Sequence, residues 1–178
     1  FVPKTSNAIK ITASDSLSLT NTLTVESWLN LPALPHDYQA VYILGKEYYL
    51  NPIAASYNLY LASGSGNNPT AYIGTSLGGV KSVASQSIAA LALNSWHHFA
   101  GTYDGSEWKL YVDGILVSTS VTTVGPQITT SPVYLGAANN DGTLIHSTTD
   151  LSMDEARISA VTRTADWINT EYENVTNK

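Results

Sequence analysis

The sequence predicts an all-β fold of two antiparallel sheets packed face to face, with one short C-terminal helix. Short strand-like runs recur along almost the whole chain with turn residues between them, and three of these runs stand back to back between Asn94 and Ser120. Helical spacing occurs only near the end, so the crossover helices of a parallel α/β sheet are missing.

Taken in order, strands are expected at Ala8 to Thr12, Leu23 to Asn30, Ala40 to Lys46, Tyr57 to Ala62, Ala71 to Thr75 and Val80 to Ile88. Pro32 and Pro35 mark a loop after the second of these. The stretches Gly64 to Pro69, Gly78-Gly79 and Asn139-Asn140-Asp141-Gly142 are rich in residues that tolerate turns. In the central meander, the run from Trp96 to Tyr103 stops at Asp104-Gly105. From Glu107 to Asp113, Trp108, Leu110 and Val112 alternate with Lys109, Tyr111 and Asp113, so one face packs and the other faces out. Asp113-Gly114 is the second turn, and Ile115 to Val117 forms the third strand. Val121 to Pro132 loses alternation and reads as a long connection, before strands at Val133 to Ala137 and Leu151 to Ser159. The helix spans Thr164 to about Asn174: Thr164 caps it, Asp166 complements the dipole, and Trp167 and Ile168 dock it.

With 178 residues the chain suits one β domain over residues 1–178, and its start at Phe1, without a signal-like segment, fits a piece excised from a larger protein. Only 12% of residues are charged, the net charge is −6, and the eight Lys and Arg stand singly, which argues against a nucleic-acid partner. No apolar run approaches the roughly 20 residues of a membrane span. Zero Cys excludes disulfides and thiol metal sites without deciding the compartment. Asn174-Val175-Thr176 matches a glycosylation sequon, a three-residue pattern common by chance. A weakly charged surface with eleven Tyr and four Trp suits neutral hydroxylated ligands, although β propensity also enriches Tyr.

Several segments, in their order and spacing, resemble a laminin G-like domain of the concanavalin A-like jelly-roll class. They are Thr24 to Leu29, Trp96 to Asp104, Leu110 to Gly114, Leu135-Gly136-Ala137 and Met153 to Ile158. The tail Arg163 to Tyr172 is similar to endings of such domains in large bacterial surface proteins, which implies an extracellular or cell-surface setting. The resemblance implies a jelly-roll sandwich with its ligand surface on the concave face or the loop rim. Members of the class bind glycans, proteins or lipids, or act as spacers, so it implies no particular ligand.

Catalysis is not expected. Jelly rolls that cleave β-glucans alternate two Glu and an Asp on one strand, and no strand here does; Asp154 and Glu155 are adjacent and should diverge. His97 and His98 diverge for the same reason, His36 and His146 fall in loops, and Gly64-Ser65-Gly66 lacks the strand-to-helix context of a nucleophile. The resemblance places Asp154 where the class holds a structural calcium against the N-terminal segment, although Ser152 replaces the usual Gly; ordinary pairing with Arg157 or a backbone amide is the competing reading. Asp141, in the Asn139 to Gly142 cluster and with Asp37 as a possible partner, offers a second calcium position or a plain turn. The four Trp are expected in the core. Tyr48, Tyr49, Tyr57 and Tyr60 surround a loop from Glu47 to Pro52, where consecutive rings should not both turn inward. The expected ligand-binding residues are therefore Tyr48, Tyr49, Asn139 and Asn140, with Asp154 and Asp141 as metal candidates. The expected function is a non-catalytic module recognising a glycan, with a structural calcium; the alternative is a protein-adhesion or spacer domain without a small ligand.

Overall fold

The computed structural model describes residues 8–48, 54–77, 80–122, 124–140, 143–146 and 150–177. In chain order the strands are β1 (Ile9–Ile11), β2 (Leu23–Asn30), β3 (Ala40–Tyr48), β4 (Ala54–Ser63), β5 (Pro69–Leu77), β6 (Val80–Ser87), β7 (Trp96–Tyr103), β8 (Glu107–Val112), β9 (Ile115–Val121), β10 (Val133–Leu135), β11 (Ala137–Asn140), β12 (Thr143–His146) and β13 (Ser152–Ser159). Helix α1 (Ala165–Thr176) follows, and one 3-10 turn spans Asp15–Leu17. A six-stranded sheet runs β1-β10-β3-β4-β5-β6 and a five-stranded sheet runs β13-β2-β7-β8-β9, both antiparallel, so the expected jelly-roll sandwich is the observed one.

The core lies between the two sheets. Leu23, Val25 and Leu29 of β2 meet Val41 and Ile43 of β3, Leu59 and Leu61 of β4, and Phe99, Trp108 and Leu110 of the meander in one buried cluster. Strand alternation delivers them there, since residues two apart share a face. A close approach between the sheets lies at Gly101 on β7. A Cβ there would lie 2.2 Å from Cγ1 of Ile73 on β5, so only glycine lets the sheets close at that point.

The meander turns form as read. Asp113 and Gly114 take φ of 51° and 76°, the pair of left-handed residues a two-residue hairpin turn favours. Strand β9 continues to Val121, four residues beyond the expected end at Val117, because its exposed edge carries no clear alternation to read. The outward face of β8 is not free: Tyr111 is 2% exposed. It packs with Ala100 against Ile168 and Trp167 of α1, which covers that side of the five-stranded sheet. The Thr164 side chain accepts a hydrogen bond from the Trp167 N–H, and Trp28 stacks on Tyr172 at 5.6 Å between ring centroids. The helix also rests on the Asp113-Gly114 turn, where a Cβ on Gly114 would come 3.1 Å from Cβ of Tyr172. This covering explains why β2 is buried on both faces.

Three expectations need correction. Asn139 and Asn140 are not loop residues but belong to β11, which pairs with β12 as a two-stranded ribbon, and His146 ends β12 instead of lying in a loop. A four-residue strand is too short to display a period, and Asn disfavours strands. Trp96 is 46% exposed, whereas Trp108 lies in the core and Trp28 is buried beneath α1.

Tyr57 is the third correction: it is not at a loop but fully buried, its hydroxyl donating to Leu17 O at 3.0 Å. Burial pushes its phenol above the usual tyrosine range. Below about pH 10 the group is protonated in both states; above it the unfolded chain releases a proton that the native chain keeps, so stability falls as pH rises. Comparing urea unfolding of the natural chain and Tyr57→Phe across about pH 9 to 11 should show a shallower alkaline loss in the variant, by up to about 1.4 kcal/mol per pH unit.

Candidate ligand groove

Strands β3 to β6 each send alternate side chains to the core and to the opposite, outer face. Val41 and Ile43, Leu59 and Leu61, and Ala71 and Ile73 turn inward. Their neighbours turn outward, and the register then decides what meets what. Tyr42 stands opposite Tyr60, and Tyr60 opposite Tyr72, so three consecutive strands place three half-buried tyrosines in one row. The Tyr60 and Tyr72 rings stack at 4.9 Å between centroids and 11° between planes.

The next row inverts this chemistry. Gly45, Asn58 and Gly74 are cross-strand partners, followed by Val83. A Cβ on Gly45 would meet the Asn58 side-chain oxygen at 2.6 Å, so the glycine makes room for the amide. Beyond them lie Ala55 and Ser76, and on the other side of the tyrosine row Ala40 and Ala62, with Gly64 just past the end of β4. A wall of aromatic rings beside a floor of small residues leaves a depression of about 380 Å³. The Thr75 hydroxyl donates to Ala55 O at 2.6 Å, while the buried Ser76 hydroxyl has no hydrogen-bond partner in the structure. None of the described residues lining the groove is acidic, basic or a histidine. The outer face of the other sheet offers no counterpart at α1, which covers Ala100 and Tyr111.

The expected site residues divide around this groove. Tyr48 ends β3 opposite Ala54, next to the groove residue Ala55, and Tyr49 lies outside the described residues. Asn139 is 4% exposed on β11, which continues beyond β10 alongside β3, with the Gly136 N–H donating to Ile43 O at 3.2 Å. Asn140 pairs with Thr143, and Asp141 lies outside the described residues. Asp37 is engaged in a turn contact, its Oδ1 accepting from the Gly66 and Asn67 N–H groups at 3.1 and 3.3 Å. Tyr60, noted beside the Tyr48 loop, belongs to the groove, and Tyr42, Tyr72 and Asn58 were not singled out. The signal for them was alternation on successive strands, which needs the register to become a row.

Asp154 lies on the five-stranded sheet, opposite Trp28, far in topology from β1 on the other sheet. Its exposed carboxylate accepts the Glu155 N–H at 2.8 Å, so it caps a backbone amide and does not pair with Arg157. A β-bulge between Asp154 and Arg157, with Glu155 at φ 52°, breaks the alternation expected to send Asp154 and Glu155 to opposite faces. Arg157 instead forms ion pairs with Glu155 and with Glu171 of α1, and its Nη1 lies 3.8 Å from Glu26 Oε1. Among the described residues no group of three or more Asp, Glu or His is placed to hold a metal ion. His97 and His98 diverge as read: His97 contacts Asp113 at 2.7 Å and Ala92 O at 2.9 Å, and His98 lies 3.3 Å from Glu26.

A family model described as the concanavalin A-like lectin/glucanases superfamily, of laminin G type, matches residues 3–169. The chain belongs to this superfamily. Among solved structures, this superfamily domain is similar to the binding domain of Paraclostridial Mosquitocidal Protein 1, with 12% identity and a TM-score of 0.70 over 99% of this chain and 43% of that one. It is similar to the binding domain of Botulinum Neurotoxin DC in complex with SialylT, with 10% identity and a TM-score of 0.69 over 98% of this chain and 42% of that one. A protein of Bacteroides ovatus ATCC 8483 assigned a carbohydrate-binding role is 20% identical with a TM-score of 0.67, over 94% of this chain and 45% of that one. The superfamily domain thus spans less than half the length of these solved chains, and at such identities the likeness shows the shared fold. A search of curated proteins finds no match.

Proposed function

We propose that this domain is a non-catalytic binding module that holds a carbohydrate in the β3–β6 groove. The row of Tyr42, Tyr60 and Tyr72 above a floor of small and hydroxylated residues carries the reading. Aromatic rings offer apolar surface to the C–H faces of a sugar, and the tyrosine hydroxyls with the Asn58 amide in the lining offer hydrogen-bonding groups to its hydroxyls. Two of the similar structures support it by what they are said to bind, SialylT in one and carbohydrate in the other. A retaining glycosidase would need two carboxyl groups about 5 to 5.5 Å apart, and the described lining supplies none. An extracellular or cell-surface location goes with this reading.

The test is a glycan array followed by titration of the best binder. Tyr72→Ala is expected to weaken that binder at least tenfold, about 1.4 kcal/mol, without changing the fold, while Tyr38→Ala, at a residue 81% exposed outside the groove, leaves it unchanged. An array empty of binders with a folded protein would favour the adhesion or spacer alternative.

A structural calcium at Asp154 is the second part of the proposal. Asp154 supplies one carboxylate, and the remaining ligands of the six to eight that calcium takes would be main-chain oxygens. An ion bound by the native chain alone must raise the melting temperature by mass action. Excess calcium should therefore raise the melting temperature over that in chelator, and Asp154→Ala should erase the difference; equal melting temperatures in the natural chain would refute the ion.

A further inference from the structure

We infer that the groove selects an uncharged saccharide segment over one bearing sialic or uronic acid. This rests on the carbohydrate reading above and adds the class of sugar. A carboxylate only accepts hydrogen bonds, and burying one is expensive unless a cation or several donors meet it. The described lining offers no such partner: its polar side chains are Tyr, Asn, Ser and Thr, groups that both donate and accept and so match sugar hydroxyls.

Four of the described cations are engaged elsewhere. Lys46 is buried on the core side, its Nζ donating to Ser18 Oγ at 3.4 Å. Lys109 pairs with Glu107 and Asp104, Arg157 with Glu155 and Glu171, and Arg163 lies 4.4 Å over the Trp167 ring. All three belong to the five-stranded sheet or its helix side. A net charge of −6 adds a weak general repulsion of anions. Two basic positions share the register of the groove: Lys10 on β1, opposite Tyr134 and through it in the row of Gly45, and Lys81 on β6, directly opposite the lining residue Ser76, which enters the test for that reason. At about 380 Å³ the groove is at the small end of ligand pockets, room for a short segment of chain.

The experiment titrates neutral oligosaccharides, each paired with the same core carrying one terminal sialic acid, at low and high NaCl. The neutral member should bind at least about tenfold tighter, and its Kd should change less than about twofold between about 20 and 500 mM NaCl, because no ion pair is screened. Ala62→Lys, which adds a cation at the groove, should raise binding of the sialylated member. Equal or tighter binding of the sialylated member by the natural chain would overturn the inference, and loss of that binding in Lys81→Gln would assign it to Lys81. Binding of neither member, with Tyr72→Ala indifferent, would overturn the inference together with the carbohydrate reading beneath it.

Discussion

Gly101→Ala is expected to destabilise the domain by about 3 kcal/mol, the upper end for overpacking a core, and to lower the melting temperature by several degrees. The added Cβ would fall 2.2, 2.7 and 2.8 Å from Cγ1, Cδ1 and Cβ of Ile73, three atoms of one fully buried side chain. Ile73 cannot swing aside because Cβ, its branch point, is itself in the way. The same change in an Ile73→Ala background fills the space the truncation opens, so the two substitutions should cost clearly less together than in sum. Urea unfolding of the four proteins measures this coupling. A Gly101→Ala cost below about 0.5 kcal/mol would mean that the sheets do not touch there.

Arg157→Met is expected to cost about 2 kcal/mol, although Arg157 itself is 42% exposed. The reason is Glu26. Its side chain is 2% exposed and accepts no hydrogen bond in the structure, so its carboxylate depends on the charge of Arg157 at 3.8 Å and on His98 at 3.3 Å. Removing the guanidinium strands that buried carboxylate, whereas losing the exposed contacts to Glu155 and Glu171 costs little. Converting both ends, Glu26→Met with Arg157→Met, should recover most of the loss, since apolar groups can replace a buried ion pair at little cost. If the double variant were less stable than Arg157→Met, the penalty would lie in lost packing and not in the stranded charge.

Much of the sandwich was legible because its strands alternate against a core. The β2, β7 and β8 segments read correctly to within a residue, since Leu23, Val25, Phe99, Trp108 and Leu110 repeat at the spacing that one buried face imposes. The reading failed where a second partner covers the other face. Nothing within Glu107 to Asp113 announces that Tyr111 will be buried by a helix more than fifty residues later. The groove was only half visible. Tyr42, Tyr60 and Tyr72 each obey alternation, but their row exists only in the register between strands, and bulges between Tyr42 and Leu44 and between Ala55 and Asn58 shift that register in ways spacing does not encode. Consecutive tyrosines at Tyr48 and Tyr49 drew attention to the end of β3, one strand pairing away from the groove residue Ala55. Around Asp154 the backbone-amide contact was among the readings, but the bulge with Glu155 in a left-handed conformation is not encoded in the spacing.

Ile73 has a neighbour on each side that faces the groove, Tyr72 and Gly74, while its own side chain is clamped against Gly101. Gly101 in turn adjoins Ala100, which is held under Ile168. The aromatic wall and the bare floor are thus anchored through two backbones to the helix on the far side of the molecule. If the groove holds a sugar as proposed, that sugar meets a surface whose main chain is already ordered, so little conformational entropy is left to lose on association, and shape can discriminate among ligands before any loop has to close.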